Sequence, residues 1–179
     1  AGRAVARVER FDPSSNRWEQ AAQMGTARYG LTAVALAGKV YAVGGHTGRG
    51  AVNVVEVFDA SANRWESAPA MATARAFLAT AAVGGKVYAL GGRDTGGDAV
   101  DVTEVFDPST NRWESAPKMS MGRYFLAAAA VGGRVYALGG LDRGHSYLST
   151  VEVFDPVTVH GGKAHRSLPV LPGAASIPG

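Results

Sequence analysis

One phrase recurs along this chain of 179 residues. It reads FDPSSNRWEQAAQM from Phe11 to Met24, FDASANRWESAPAM from Phe58 to Met71 and FDPSTNRWESAPKM from Phe106 to Met119. A fourth copy opens as FDPVT at Phe154 and then loses the pattern. The copies start 47 or 48 residues apart, and the rest of the chain follows the same period. Trp18, Trp65 and Trp113 fall in register, as do Tyr41, Tyr88 and Tyr136 and the pairs Gly44-Gly45, Gly91-Gly92 and Gly139-Gly140. Arg28, Arg75 and Arg123 each stand four residues after Met24, Met71 and Met119. A period of this length shared by so many positions marks a repeat architecture, in which each unit is covered by its neighbours.

Within a repeat, β-branched and aromatic runs alternate with turn residues at close spacing, which predicts four short strands. In the second full copy these are Leu78 to Val83, Lys86 to Leu90, Val100 to Phe106 and Trp113 to Ala116; the first copy contributes Val5 to Glu9 and Trp18 to Ala22. Gly84-Gly85 and Gly132-Gly133 suit the positive φ angles of a two-residue hairpin, and Ala37-Gly38 is a weaker version. In DPSTN, Asp107 can accept from its own downstream backbone, Pro108 fixes φ and Asn111 tolerates a left-handed conformation. The recurring phrase is thus the end of a third strand, a sharp turn, and a fourth strand carrying a large aromatic. One such sheet cannot bury both faces alone, so successive sheets stack with Trp, Phe and Met between them.

Repeats of this length, with four strands, a glycine pair after the second and a tryptophan on the fourth, resemble kelch repeats, which form the blades of β-propellers. The resemblance runs from about Val5 to Phe154 and implies an all-β fold of four-stranded antiparallel blades. One departure is the phenylalanine at 11, 58, 106 and 154, where kelch proteins often carry tyrosine; packing is kept and a hydroxyl is lost. The blades divide as a half blade (strands three and four) over residues 1–24, full blades over 25–71 and 72–119, a blade without a clear fourth strand over 120–158, and a degenerate tail over 159–179. Closed propellers have roughly four to eight blades, so about three and a half blades make a partial or open propeller. Three explanations stand: a piece of a longer propeller, two copies completing a ring, or an open arc. In the last two, exposed end faces and unpaired edges favour self-association.

Residues identical in every copy are expected to be scaffold, because the same packing problem recurs in each unit. This covers the glycine pairs, the three tryptophans and the three methionines. The copies differ most just after each glycine pair: HTGRGAVN from His46, RDTGGDAV from Arg93 and LDRGHSYL from Leu141. These loops join strands two and three and emerge on one face. The resemblance implies that binding surfaces use the residue after the diglycine and the arginine entering strand one. Carried over, that names His46, Arg93, Arg28, Arg75 and Arg123, with Tyr29 and Tyr124 beside two of the arginines and Ala76 in the equivalent place. Leu141 is apolar, so its blade would act through Asp142 or Arg143; Asp94 follows Arg93. Two readings of the arginines remain open. Fanned around one axis, three guanidinium groups would favour an acidic peptide or carboxylate; alternatively, each bonds carbonyls of the neighbouring blade.

The remaining chemistry is excluded or weak. A net charge of +3 from scattered Lys and Arg offers no basic run for nucleic acid. No apolar stretch reaches the roughly 18 residues needed to span a bilayer, and no leader is visible at Ala1, so a soluble chain of unassigned compartment is expected. Without cysteine there are no disulfides or thiolate metal sites. His160 and His165 lack a third ligand at familiar spacing, and His46 and His145 read as exposed loop residues. Neither GGRDTGG nor VGGHTGRG has the lysine and Ser/Thr of a phosphate loop, and the turn serines have no neighbouring histidine to activate them. No catalytic residue, metal or cofactor is assigned. The resulting expectation is a non-enzymatic module that presents its loops to a protein or peptide. The alternative is a fragment of a carbohydrate-active propeller resembling sialic-acid isomerases. It would need converging arginines beside a carboxylate from Asp94, Asp98, Asp101 or Asp142. Galactose-oxidase-type chemistry needs a cysteine that this chain lacks.

Overall fold

The computed structural model describes residues 3–156 and 165–167. Strands β1 (Val8–Asp12) and β2 (Arg17–Ala21) form a two-stranded sheet. Three four-stranded sheets follow: β3 (Thr32–Leu36), β4 (Lys39–Val43), β5 (Val55–Asp59) and β6 (Arg64–Ala68); β7 (Ala79–Val83), β8 (Lys86–Leu90), β9 (Thr103–Asp107) and β10 (Arg112–Ala116); and β11 (Ala127–Val131), β12 (Arg134–Leu138), β13 (Val151–Phe154) and β14 (His165–Ser167). Every neighbouring pair is antiparallel and sequential, the meander of a propeller blade. The sheets form an open row and not a closed ring.

The turns follow the predicted chemistry. The Ser109 amide donates to Asp107 Oδ1 at 2.9 Å, and Asn16, Asn63 and Asn111 all take the left-handed conformation. The third strand of the second full blade differs from expectation, starting at Thr103 and not Val100. The Val100 amide is already taken by the Gly92 carbonyl, and Val102 offers its carbonyl to the Gly91 amide, so the chain is still in the loop there. In the half blade β1 likewise begins three residues late, at Val8. The last blade also requires a correction: it has a short fourth strand, β14, inside the segment read as tail. β14 pairs with β13 so that His165 stands opposite Phe154, the register position that Trp113 holds opposite Phe106. Backbone pairing needs no particular side chain, which is why a strand forms there without the NRW signature.

Burial lies between sheets. One cluster joins Tyr41, Val43, Val55 and Met71 of the first full blade to Leu78, Val87, Ala89 and Phe106 of the second; another joins Ala79, Ala81, Tyr88, Leu90 and Met119 of the second to Leu126, Val135 and Ala137 of the last. The aromatic rings mark these seams, with Tyr41 5.8 Å from Phe106 and Tyr88 5.6 Å from Phe154. The seated tryptophans add a directed bond: Trp65 Nε1 donates to the Ala22 carbonyl and Trp113 Nε1 to that of Pro69, both at 2.8 Å. The half blade has no such cover, and Trp18 is 69% exposed.

The diglycines have a physical cause in the same seams. Gly91 and Gly92 have φ of 60° and 107°, and a Cβ on Gly91 would sit 2.4 Å from the Arg123 carbonyl. That close approach lets the Gly92 amide donate to the Arg123 carbonyl at 2.8 Å, as the Gly45 amide does to that of Arg75. The pairs Gly44-Gly45 and Gly91-Gly92 therefore tie their blades to the first turn of the next.

Candidate functional site

The loops after β4, β8 and β12 run to one end of the blades, where the segments entering β3, β7 and β11 meet them. Residues after the arginines pair with residues after the diglycines in three isolated bridges, Tyr29 with His46, Ala76 with Arg93 and Tyr124 with Leu141. Each bridge exchanges two backbone hydrogen bonds of 2.7 to 3.0 Å. The positions predicted to form a surface are thus brought together in every blade.

The arginines themselves are elsewhere. Arg28, Arg75 and Arg123 are 1%, 0% and 1% exposed, which removes them from any ligand-facing surface and corrects the channel-mouth expectation. Arg75 Nη1 donates to the carbonyls of Gly91 (2.9 Å) and Val102 (2.7 Å), and its Nη2 to that of Ala89 (3.2 Å) and to Glu104 Oε1 (3.2 Å). Arg28 repeats the arrangement with Gly44, Val54, Ala42 and Glu56. Arg123 does so with Gly139, Thr150 and Glu152. The acceptors belong to the blade the arginine enters and not to its neighbour, a second correction. Burial pulls the Arg75 guanidinium down to about 10 against the opposing pull of Glu104, so it stays charged at neutral pH. The glutamates complete the seam: the Glu104 carboxylate also accepts from the Ala72 and Thr73 amides, and Glu56 from that of Gly25.

What remains at the surface is a cleft of about 420 Å³ between the rims of the first two full blades. Tyr29, His46, Ala51, Phe77, Arg93 and Asp94 line it. Phe77 is held at φ 56°, a conformation that a bulky side chain rarely adopts. Its amide donates to the Gly30 carbonyl at 2.7 Å, and its own carbonyl accepts from the Phe125 amide at 2.9 Å, so a backbone relay steps from blade to blade. The Phe77 and Phe125 rings lie 4.4 Å apart, and Phe125 is 59% exposed. Gly30 leaves room for this arrangement, because a Cβ there would sit 2.5 Å from the Phe77 ring. The His46 ring stacks 5.0 Å from Tyr29.

Arg93 is half-buried, with Nε bonded to the Gly97 carbonyl at 2.8 Å and its guanidinium carbon 5.0 Å above the Tyr124 ring. Tyr124 is buried and supports from below; its hydroxyl shares a 2.7 Å hydrogen bond with His145 Nδ1. Asp94 and Asp142 shape their own loops. Asp94 Oδ1 accepts from the Gly96 and Asp98 amides and Asp142 Oδ1 from that of Ser146, so one oxygen of each carboxylate is used to hold its own loop. Arg143 pairs with Asp98 at 2.9 Å, joining the second and third loops, and Lys118 pairs with Asp101 at 3.1 Å. Among the described residues, no group of three acidic or histidine side chains is placed to hold a metal. His160 lies outside the described residues. No helix among them is long and apolar enough to cross a membrane.

Sequence reasoning did not find Glu56, Glu104 and Glu152, although they recur in register with Glu9 and that repetition was the available signal. Phe77 and Phe125 gave no comparable signal, since the equivalent residue in the first full blade is Gly30.

The blade seams and the diglycine ties give the comparisons their meaning. Residues 2–140 match the model of the KLHDC2/KLHL20/DRC7 Kelch-repeats domain. The chain belongs to the kelch-repeat family. No curated protein matches the chain. Among solved structures, that of YjhT superposes with a TM-score of 0.75 at 14% identity, covering 84% of this chain. At that identity the likeness is one of kelch fold. The chain spans 49% of YjhT's length.

Proposed function

We propose that this kelch chain is a non-enzymatic binding module that receives a protein or peptide at the cleft beside the diglycine loops. Kelch repeats commonly mediate protein binding, which supplies the general expectation. The observation that carries the reading is the cleft itself: residues that vary between copies, His46 and Arg93, meet across an aromatic floor of Tyr29 and Phe77. The lining mixes aromatic rings with polar side chains and loop backbone, so a bound segment would meet stacking, charge and hydrogen bonds together.

An acidic partner is favoured on narrower grounds than three fanned arginines. Arg28, Arg75 and Arg123 are each committed to a glutamate, whereas Arg93 sits on the cleft with only its Nε taken by a hydrogen bond. A sugar-acid-isomerising reading would need arginines free to meet a ligand beside a free carboxylate. Asp98 and Asp101 are in ion pairs, and Asp94 and Asp142 cap loops, which favours the binding reading.

The test is selection of displayed random peptides on the immobilised chain, with an Arg93→Ala chain as counter-selection. Enrichment of sequences carrying Asp or Glu next to an apolar residue, lost on the variant, supports the proposal. Enrichment of nothing, or of sequences that bind both chains alike, contradicts it.

A further inference from the structure

His46 has a second role available, and it follows from which of its nitrogens is engaged. The backbone amide of Gly48 donates to His46 Nδ1 at 2.9 Å. An amide N–H can only donate, so Nδ1 must carry a lone pair and the imidazole must be neutral, with its proton on Nε2. An imidazolium carries a proton on both nitrogens. The Gly48 N–H and the Nδ1–H would then point at each other, and the bond cannot exist.

The bond sits where breaking it matters. His46 is bridged on one side to Tyr29 and on the other to Ala51, so it anchors both ends of the loop that turns through Thr47 to Gly50. Besides the Gly48 bond, the loop's turn rests on the Thr47 amide donating to the Gly50 carbonyl at 3.1 Å and on weak Thr47 hydroxyl contacts at 3.4 Å. The Tyr29 ring from the segment entering β3 lies against His46, Arg93 and Asp94 line the same cleft, and Arg49 stands three residues on in the same loop. The equivalent loops differ: at the positions in register with Thr47, Asp94 and Asp142 accept from the Gly96 and Ser146 amides, a stronger acceptor than the Thr47 hydroxyl that takes the Arg49 amide at 3.4 Å. The counterparts of His46 are Arg93 and Leu141, neither of which can accept from a loop amide through its side chain, so among the described loops a ring nitrogen supports the turn in the first full blade.

We infer that His46 is a proton-sensitive latch: protonation releases the Gly48 amide and loosens the loop that forms one wall of the cleft. The latch stands on loop geometry alone. That it modulates partner binding rests on the function proposed above, so the decisive readout is taken without a partner.

The experiment is a pH titration of the ¹⁵N-labelled chain followed by NMR, reading the His46 ring protons and the Gly48 amide together. The expected result is a Gly48 amide shift that moves upfield in step with His46 protonation. In His46→Asn, whose side-chain oxygen can accept from the same amide at every pH, the Gly48 shift stays fixed. A Gly48 amide that does not follow the His46 titration in the unmodified chain overturns the latch. So does one that still titrates identically in His46→Asn. Should His46→Asn disturb the fold, His46→Asp supplies a carboxylate acceptor for the same amide.

Discussion

Arg75 and Glu104 meet at 3.2 Å with both side chains out of solvent, 0% and 3% exposed, at the seam between two blades. The carboxylate also accepts from the Ala72 and Thr73 amides, and the guanidinium donates to three carbonyls. The pair is therefore a bracket that fastens the chain between blades to the blade it enters. Removing one partner of a buried pair leaves the other charged and unmatched, which costs about 3–5 kcal/mol. Glu104→Ala is expected to lower stability by that order in urea unfolding, and Arg75→Ala by a similar amount. A change within experimental scatter for either would show that the bracket is not structural.

The hairpin between β3 and β4 carries a correctable strain. Ala37 adopts φ 50°, where the equivalent positions in the next two blades are Gly84 at 59° and Gly132 at 58°. An L-residue in that conformation costs roughly 1–2 kcal/mol, and glycine gives back about half of the gain as chain entropy. Ala37→Gly is predicted to stabilise the chain by about 0.5–1 kcal/mol, measured as a higher urea midpoint with an unchanged slope.

Acid should weaken the blade turns in a defined window. Hydrogen bonds from the Ser109 hydroxyl, then Lys86, then the Ser109 amide hold the Asp107 carboxyl down to about 2 from 3.8; Ser14 and Ser61 lower Asp12 and Asp59 in the same way. A carboxyl depressed in the folded state contributes stability that is complete above its unfolded value and is lost as pH falls through its folded value. Stability is therefore expected to decline as pH drops from about 4 toward about 2. In Asp107→Asn that decline should be shallower, as read by urea midpoints across the window. An equally steep decline in the variant would mean that Asp107 does not contribute to it.

Much of this fold could be read from the order of residues, because a repeat states its packing problem several times. Lys86–Leu90 was legible to the residue as a strand, since Gly84-Gly85 and Gly91-Gly92 bracket it with backbone that cannot continue a strand. The start of β9 was not, because Val100 and Val102 look like strand residues while their backbone groups are claimed by the glycine pair and by Arg75. The site divides in the same way. That the residue after each diglycine belongs to a shared surface was implied by the resemblance to kelch repeats; its pairing with the residue after the arginine is seen only in the backbone bridges. The fate of the arginines was not, because a repeated cation looks the same whether it faces a ligand or a buried glutamate. The decision lay with Glu56, Glu104 and Glu152 on the third strands. The left-handed phenylalanines had no sequence signature, since tertiary hydrogen bonds around the axis hold Phe77 and Phe125 in a conformation their side chains oppose.

The central claim is that the cleft beside the diglycine loops, and not the repeated arginines, contacts the partner. The most direct measurement is equilibrium binding of a selected peptide to the unmodified chain and to Arg93→Ala, with urea unfolding of both. Losing the Arg93 contact with Tyr124 costs about 0.5–1 kcal/mol of stability and losing its bond to the Gly97 carbonyl about 0.5–1.5, whereas losing a charge-assisted contact to the peptide costs about 1.5–3 kcal/mol of binding, or roughly tenfold or more in affinity. The account predicts that drop in affinity in a chain that still unfolds cooperatively and is fully folded under the binding conditions. Undiminished binding by Arg93→Ala would contradict it.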